Sequence, residues 1–355
     1  MFARKILLGL CLAFLSGTPA LADTVALAPD HPTRHTVVKG DTLWDISARF
    51  LRDPWRWPDV WHINPEIKNP HLIYPGDVIV LRMVDGQPVL EVERVAAATE
   101  EPSRLPVVKL SPQVRVSDLN GAIPTIAMDV IQPFLLRARV IGAEEFDRAP
   151  YIVASEGGRL ATGAGNKIYA RNMADIATSR VSIFHQGRAY RNPGAKKDDI
   201  LGYEAIHVAD ASIERMGDPA TVRITDSYRE TLVGDRLFPF AGEDFSRNFF
   251  PRSPDKAVSG NIIDVVDGVS KIGRYQVVVL NLGGKNGIGP GHVLAIHQAG
   301  NKVRDIVRPG SDGLVTLPEE RAGLLMVFRA FERVSYALVM KSERDIRVYD
   351  MVRNP

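Results

Sequence analysis

The sequence predicts an α+β chain, with a small β-α-α-β unit near its N-terminus followed by a mainly β region that reads as two related small barrels. Three observations carry this reading. Residues 34–82 run through strand, helix, helix and strand signals in that order. Beyond about residue 114, short Val/Ile/Leu/Tyr-rich runs recur between Gly, Asp, Asn and Pro. Within that region two stretches repeat each other in order and approximate spacing.

The N-terminal unit opens on His35-Thr36-Val37-Val38, a β-branched run that Lys39-Gly40-Asp41 breaks with a turn. Asp41 or Thr42 can cap the helix that follows, in which Leu43, Ile46 and Phe50 recur at helical spacing and Trp44 widens the apolar face. Pro58, tolerated in a first turn, signals a second helix that ends near Asn64-Pro65 and carries Trp57, Val60 and Trp61 on one face. Pro75-Gly76 then turns the chain into Asp77-Val78-Ile79-Val80-Leu81, the second strand. The three tryptophans in helical pattern are expected in the core, whereas Trp55 suits either exposure or closure of the small core.

In the β region the clearest strands are Tyr151–Ala154, Ala220–Ile224, Tyr275–Leu280 and His292–Ile296. Ile126 to Val140 mixes helix formers with Pro133 and reads as a bridge into the domain. The repeat aligns Gly165-Asn166-Lys167-Ile168-Tyr169 with Lys285-Asn286-Gly287-Ile288. It further aligns Ile183-Phe184-His185-Gln186 with Ala295-Ile296-His297-Gln298, Leu201-Gly202-Tyr203 with Gly323-Leu324-Leu325, and Gly234-Asp235-Arg236-Leu237 with Tyr349-Asp350-Met351-Val352. Expected divisions are a signal peptide at 1–22, a lead-in at 23–33, the first unit at 34–82, a linker at 83–113, and β-rich domains at 114–250 and 251–355.

The signal reading rests on Arg4 and Lys5, the apolar run Ile6 to Leu15 and the small-residue site Ala20-Leu21-Ala22. Cys11 is the sole cysteine. A lipid-modified reading is disfavoured because Leu10 stands where a small residue is needed, and cleavage after Ala22 removes Cys11 altogether. The mature chain then has no thiol nucleophile or thiolate ligand. No later run approaches the ~20 apolar residues of a membrane helix. A formal charge of +2 over 355 residues, without a basic stripe, argues against nucleic acid as a partner.

Val38-Lys39-Gly40-Asp41-Thr42-Leu43-Trp44, Asn64-Pro65 and Leu72-Ile73-Tyr74-Pro75-Gly76-Asp77 closely resemble the LysM family in order and spacing. Asp53-Pro54-Trp55-Arg56-Trp57 lengthens the inter-helix connection and resembles a proteobacterial subtype with a Trp-rich insert. The resemblance implies binding of N-acetylglucosamine-containing glycan, as in peptidoglycan, in a shallow groove between two loops. By position it points to Gly40, Asp41, Thr42 and Leu43 on one wall and to Leu72, Ile73, Tyr74 and Pro75 on the other. Several of these also have plain structural roles, Gly40 in permitting the turn and Asp41 or Thr42 in capping.

Catalytic alternatives need residues that the pattern supplies weakly. Of the mature histidines, His31, His35, His62 and His71 belong to the lead-in or LysM region, and His185, His207, His292 and His297 form no recognised zinc motif. Glu144, Glu145, Glu204, Asp264, Glu319 and Glu320 leave a glycosidase-type carboxylate site as the rival reading. Gly157-Gly158 and Gly283-Gly284 lack the Walker lysine-serine signature and read as β turns. The expectation is therefore a non-catalytic periplasmic protein, without cofactor or metal, that docks on peptidoglycan and offers its β region to an envelope protein partner. The alternative is a peptidoglycan-modifying hydrolase or lytic enzyme.

Overall fold

The computed structural model describes residues 25–61, 73–93, 123–136, 138–196, 199–240, 249–266, 272–300, 302–305, 307 and 314–355. The signal segment, His62, Asn64-Pro65, His71, Leu72 and residues 94–113 of the expected linker lie outside them.

The N-terminal unit comprises β1 (Arg34–Thr36), α1 (Leu43–Phe50), a 3-10 turn at Pro54–Arg56, α2 (Trp57–Val60), β2 (Val78–Val84) and β3 (Gln87–Glu93), with sheet order β1-β2-β3. Leu43, Ile46 and Phe50 of α1 bury against Val37, Trp57, Val60, Ile73, Ile79 and Leu90. Trp44, Trp57 and Trp61 are buried as their helical spacing predicts. The third strand lies in residues read as linker. Asp85-Gly86, both at positive φ (50° and 77°), make the tight turn that folds β3 back on β2. β3 pairs with β2 alone, so Pro88 sits on an edge strand, where a missing N–H is tolerated.

α3 (Met128–Leu136), β4 (Ala138–Ile141) and α4 (Ala143–Arg148) lead into the first barrel. Its strands are β5 (Tyr151–Ser155), β7 (Lys167–Arg171), β8 (Arg180–Arg191), β9 (Ile200–Arg215), β10 (Ala220–Ser227) and β12 (Arg236–Pro239), with β6 (Ala161–Thr162) and β11 (Thr231–Leu232) forming a small side ladder. The ring runs β5-β7-β10-β9-β8-β12 and closes on β5, while β4 adds to the outside of β9. The second barrel uses β13 (Ser259–Val265), β14 (Val277–Leu280), β15 (Val293–Gln298), β18 (Glu320–Ala330), β19 (Ser335–Ser342) and β20 (Met351–Arg353) in the closed order β13-β14-β19-β18-β15-β20. β16 (Lys302–Arg304) and β17 (Leu314–Thr316) make a separate hairpin.

Taken in chain order within each barrel, the first strand pairs with the second, then come the fifth, fourth, third and sixth. This order is the same in both barrels, and every pairing is antiparallel. Three of the four sequence anchors fall on equivalent strands: β8 with β15, β9 with β18, and the turns entering β12 and β20. The first anchor is corrected. Lys285-Asn286-Gly287-Ile288 follows β14, whereas the counterpart of the turn at Gly163–Asn166 is Gly273–Gln276, where the Gln276 N–H donates back to the Gly273 carbonyl at 3.3 Å. Tyr275 there has φ 65°, matching the 84° of Gly165, so the same left-handed position is held by Tyr in one barrel and Gly in the other and the two turns share no sequence signal.

The second barrel is apolar on both faces. Val278, Leu280, Leu294, Ile296, Leu325, Val327, Ala337 and Val339 fill its interior. The alternating residues Val277, Val279, Val293, Ala295, Leu324, Met326, Phe328, Leu338 and Met340 face outward. They pack under Ile131 and Leu135 of α3, under Ile126 and Trp44, and against Val140, Tyr190 and Leu201 of the first barrel region. Polar ties reinforce this cover. Arg329 donates to the Phe134 and Leu135 carbonyls at 2.9 and 2.8 Å, closing the C-terminal end of α3, and Arg188 of β8 meets Asp264 of β13 at 2.9 Å.

His292, buried at the mouth of β15, accepts the Gly289 N–H on Nδ1 at 3.1 Å. Burial, followed by the nearby Arg252 charge, holds its pKa below the ordinary value of 6.5, and the same order of causes, with Arg353, depresses His297. The unfolded chain therefore takes up these protons first. The stabilisation is present above about pH 6.5 and is lost as pH falls through the depressed folded values. The melting temperature should fall between pH 7.5 and 5.5, and His292→Asn, which keeps an acceptor for Gly289, should flatten that slope in thermal scans across this range.

Candidate functional site

The two predicted walls are built by the same four-residue turn used twice. In Val38–Asp41 the Asp41 N–H donates to the Val38 carbonyl at 3.1 Å, and its carboxylate accepts the Val38 N–H at 3.0 Å. In Tyr74–Asp77 both equivalent bonds measure 3.0 Å. Each turn needs a left-handed third residue, supplied by Gly40 at φ 99° and Gly76 at φ 102°. Val37 joins the two, donating to the Asp77 carbonyl and accepting from the Gly76 N–H, each at 2.8 Å. His35 Nε2 lies 2.9 Å from the Asp41 carboxylate and steadies the first turn.

Thr42 caps α1, its Oγ1 accepting the Asp45 N–H at 3.1 Å and donating to the Asp45 carboxylate at 2.8 Å. The predicted wall residues are thus brought together but present different things. Thr42, Leu43 and Ile73 are buried, Gly40 and Tyr74 are exposed, and Asp41 and Pro75 lie between. Leu72 lies outside the described residues. What the walls offer is mainly backbone: the first N–H groups of α1 and the Ile73 carbonyl.

Residues that the sequence reading did not assign to the groove meet these groups. Leu43 N–H donates to the Pro124 carbonyl at 3.0 Å, Trp44 N–H donates to the Thr125 carbonyl at 3.1 Å, and Ile123 N–H donates to the Ile73 carbonyl at 2.8 Å. Ile123 is 4% exposed, and Thr125 and Ile126 are fully buried. The one sequence signal was the short apolar run Ile123-Pro124-Thr125-Ile126 just before α3.

The far side of α1 is held by the second barrel. Asp45 accepts from the Arg274 guanidinium and from the Tyr275 hydroxyl, the latter at 3.0 and 3.1 Å to its two oxygens. Burial, followed by the Asp45 carboxylate, pushes the Tyr275 phenol up to about 12, so it remains a donor at neutral pH. Asp53 faces Arg321 at 3.5 Å, and the rings of Trp57 and Phe250 lie 6.3 Å apart.

Elsewhere, the carboxylates considered for catalysis all face arginines. Glu144 lies 3.4 Å from Arg148, Glu145 2.9 Å from Arg139 and Glu319 3.3 Å from Arg353, and Glu320 pairs with Arg344. Glu204 and Asp264 share Arg188, at 3.3 and 2.9 Å, and burial raises the Asp264 pKa. A buried Ser182 hydroxyl donates to Asp210 at 2.7 Å, and His207 sits 2.9 Å from the same Asp210 oxygen, so the serine proton is directed at the carboxylate rather than at the imidazole.

All four tryptophans, Trp44, Trp55, Trp57 and Trp61, belong to the N-terminal unit, and Trp44 and Trp55 pack at its seam with the second barrel, so tryptophan emission reports on that unit and its docking. Tyr275→Phe should lower the midpoint of the tryptophan-detected denaturation curve, with a loss of about 0.5–1.5 kcal/mol for the missing hydroxyl bonds. A far-ultraviolet circular dichroism curve, dominated by the barrels, should move less.

The LysM domain model matches residues 35–82. A segment of the uncharacterized protein YqbP of Bacillus subtilis (strain 168) is 38% identical over 55 residues, covering 13% of this chain and 25% of that protein. The match therefore spans about a quarter of that relative's length and concerns one module only. With the paired turns, the capped helix and the strand order above, residues 35–82 are a LysM domain.

Proposed function

We propose that this chain is an exported, non-catalytic protein that docks on peptidoglycan through its LysM domain and uses its paired barrels as an interaction or scaffolding surface in the periplasm. The observation that carries the reading is the LysM match at residues 35–82, with two facing Gly-Asp turns and a run of backbone donors and acceptors between them. An acetamido group carries one carbonyl acceptor and one N–H donor, which complement helix-terminal N–H groups on one wall and the Ile73 carbonyl on the other. Tyr74, 37% exposed beside that wall, gives an apolar face for a sugar ring. The Trp-rich connection, which resembles a proteobacterial subtype, is then a docking element: Asp53 faces Arg321 of the second barrel, and Trp57 meets the ring of Phe250 in the segment ahead of that barrel. The signal-like pattern of residues 1–22 supports export from the cytoplasm.

The absence of catalysis is supported by the arginine pairing of each candidate carboxylate and by the Ser182–Asp210 direction of the buried network. Glu204 and Asp264 are the best remaining acid pair, because Asp264 is raised by burial as a general acid requires.

Incubation with purified sacculi tests both halves. The chain should co-sediment without releasing soluble muropeptides, and Tyr74→Ala should weaken co-sedimentation by about tenfold while retaining wild-type tryptophan emission, the ~1.4 kcal/mol of one stacked ring. Muropeptide release that disappears in Glu204→Gln would replace this reading with the hydrolytic one.

A further inference from the structure

The LysM groove is already filled by the chain itself. Ile123–Thr125 spans from one wall to the other, giving two carbonyls to the α1 N-terminus and taking the Ile73 carbonyl with an N–H. A peptide unit and an acetamido group offer the same pair, one C=O and one N–H, so the segment satisfies the atoms that an N-acetylated sugar would need. Its side chains also leave no room for one. Ile123 is part of the LysM core, and Ile126 packs beside Trp44 under the cover of the second barrel.

From this occupancy, and resting on the groove assignment above, we infer that residues 123–126 are an intramolecular plug and that glycan enters only when the plug lifts out. The segment competes as part of the same chain, at an effective concentration on the order of mM, so a free sugar must outcompete a tethered peptide. Apparent affinity is then reduced by the fraction of molecules with an open groove.

The plug is continuous with α3, which begins at Met128 and roofs the second barrel through Ile131 and Leu135. Opening the groove and loosening α3 are therefore one movement. Anything that binds the barrels and draws α3 away raises glycan affinity, and glycan binding in turn loosens α3, since coupling between two sites is reciprocal.

The test uses the full-length mature chain and a tetramer of N-acetylglucosamine, with binding followed by tryptophan emission. Ile123→Glu places a carboxylate where the wild-type side chain is buried, which drives the segment into water. It should bind the tetramer about tenfold or more tighter than wild type. In the wild type, saturating tetramer should speed hydrogen exchange at the Ile123 amide, whose acceptor is given up.

Equal affinity of wild type and Ile123→Glu, with Tyr74→Ala weakening both, would overturn the plug and leave the groove assignment standing. Failure of both proteins to bind the tetramer would overturn the groove assignment and the plug with it. Saturation of the wild type with unchanged Ile123 exchange would also overturn the plug. If Ile123→Glu shifts emission to that of unfolded tryptophan, the exchange measurement on wild type decides alone.

Discussion

The outward face of the second barrel is the constraint around which the described structure is arranged. A six-stranded barrel fills its own interior, but here the alternate residues of β14, β15, β18 and β19 are apolar as well. Each such side chain left in water forgoes roughly 1.5–3 kcal/mol. Cover comes from three places at once: α3, the first barrel region, and Trp44 of the LysM domain. The LysM domain is consequently a part of the packing rather than a bead on a string. The guanidinium groups of Arg329 and Arg188 satisfy the polar atoms at the seams, where an unpaired carbonyl or carboxylate would be costly.

The duplication of the barrel explains how that docking arose locally. The turn entering the second strand carries Gly165 in one barrel and Tyr275 in the other, and the turn entering the sixth strand carries Gly234 in one and Tyr349 in the other. All four have positive φ, from 65° to 94°, a region that costs a side chain roughly 1–2 kcal/mol. The turn survives at both tyrosines because its polar bonds are kept: the Gln276 side-chain oxygen accepts the Gly273 N–H and the Asp350 carboxylate accepts the Arg347 N–H, as the Asp235 carboxylate accepts the Leu232 N–H at Gly234. At Tyr275 the strain has a visible return, since the phenol reaches Asp45 at the capped end of α1. Among the described residues, no equivalent contact accounts for Tyr349, whose side chain is exposed.

Much of this was legible in the sequence, and the exceptions share a cause. Leu43, Ile46, Phe50 and the three helical tryptophans could be assigned because burial follows helical spacing, and the third, fourth and sixth strands of the repeat could be matched because a His, a Gly beside Leu and an Asp recur in that order. The Asp85-Gly86 hairpin was overshadowed by the Ala, Glu and Pro composition that follows it, although that dipeptide between two strand-like runs is a strong local signal. The first repeat anchor was misplaced because Tyr275 replaces the expected glycine. The groove's occupant left almost no trace, because the atoms that fill it are main-chain atoms of Ile123, Pro124 and Thr125, and main-chain atoms are the same in every residue.

That last point bears on how a binding motif is read. The Gly-Asp turns and the Thr42 cap specify a shape, and the shape exposes N–H groups that must find acceptors. A sugar acetamide and a peptide carbonyl are nearly equivalent answers to that requirement. The motif therefore predicts which donors are presented without predicting what satisfies them. Ile123–Thr125 meets the requirement in this structure, and Ile123 and the following Ile126 enter two different cores, so the choice of occupant is set by packing on either side of the groove. Recognition of glycan by this domain then depends as much on the stability of α3 against the second barrel as on the residues of the motif itself.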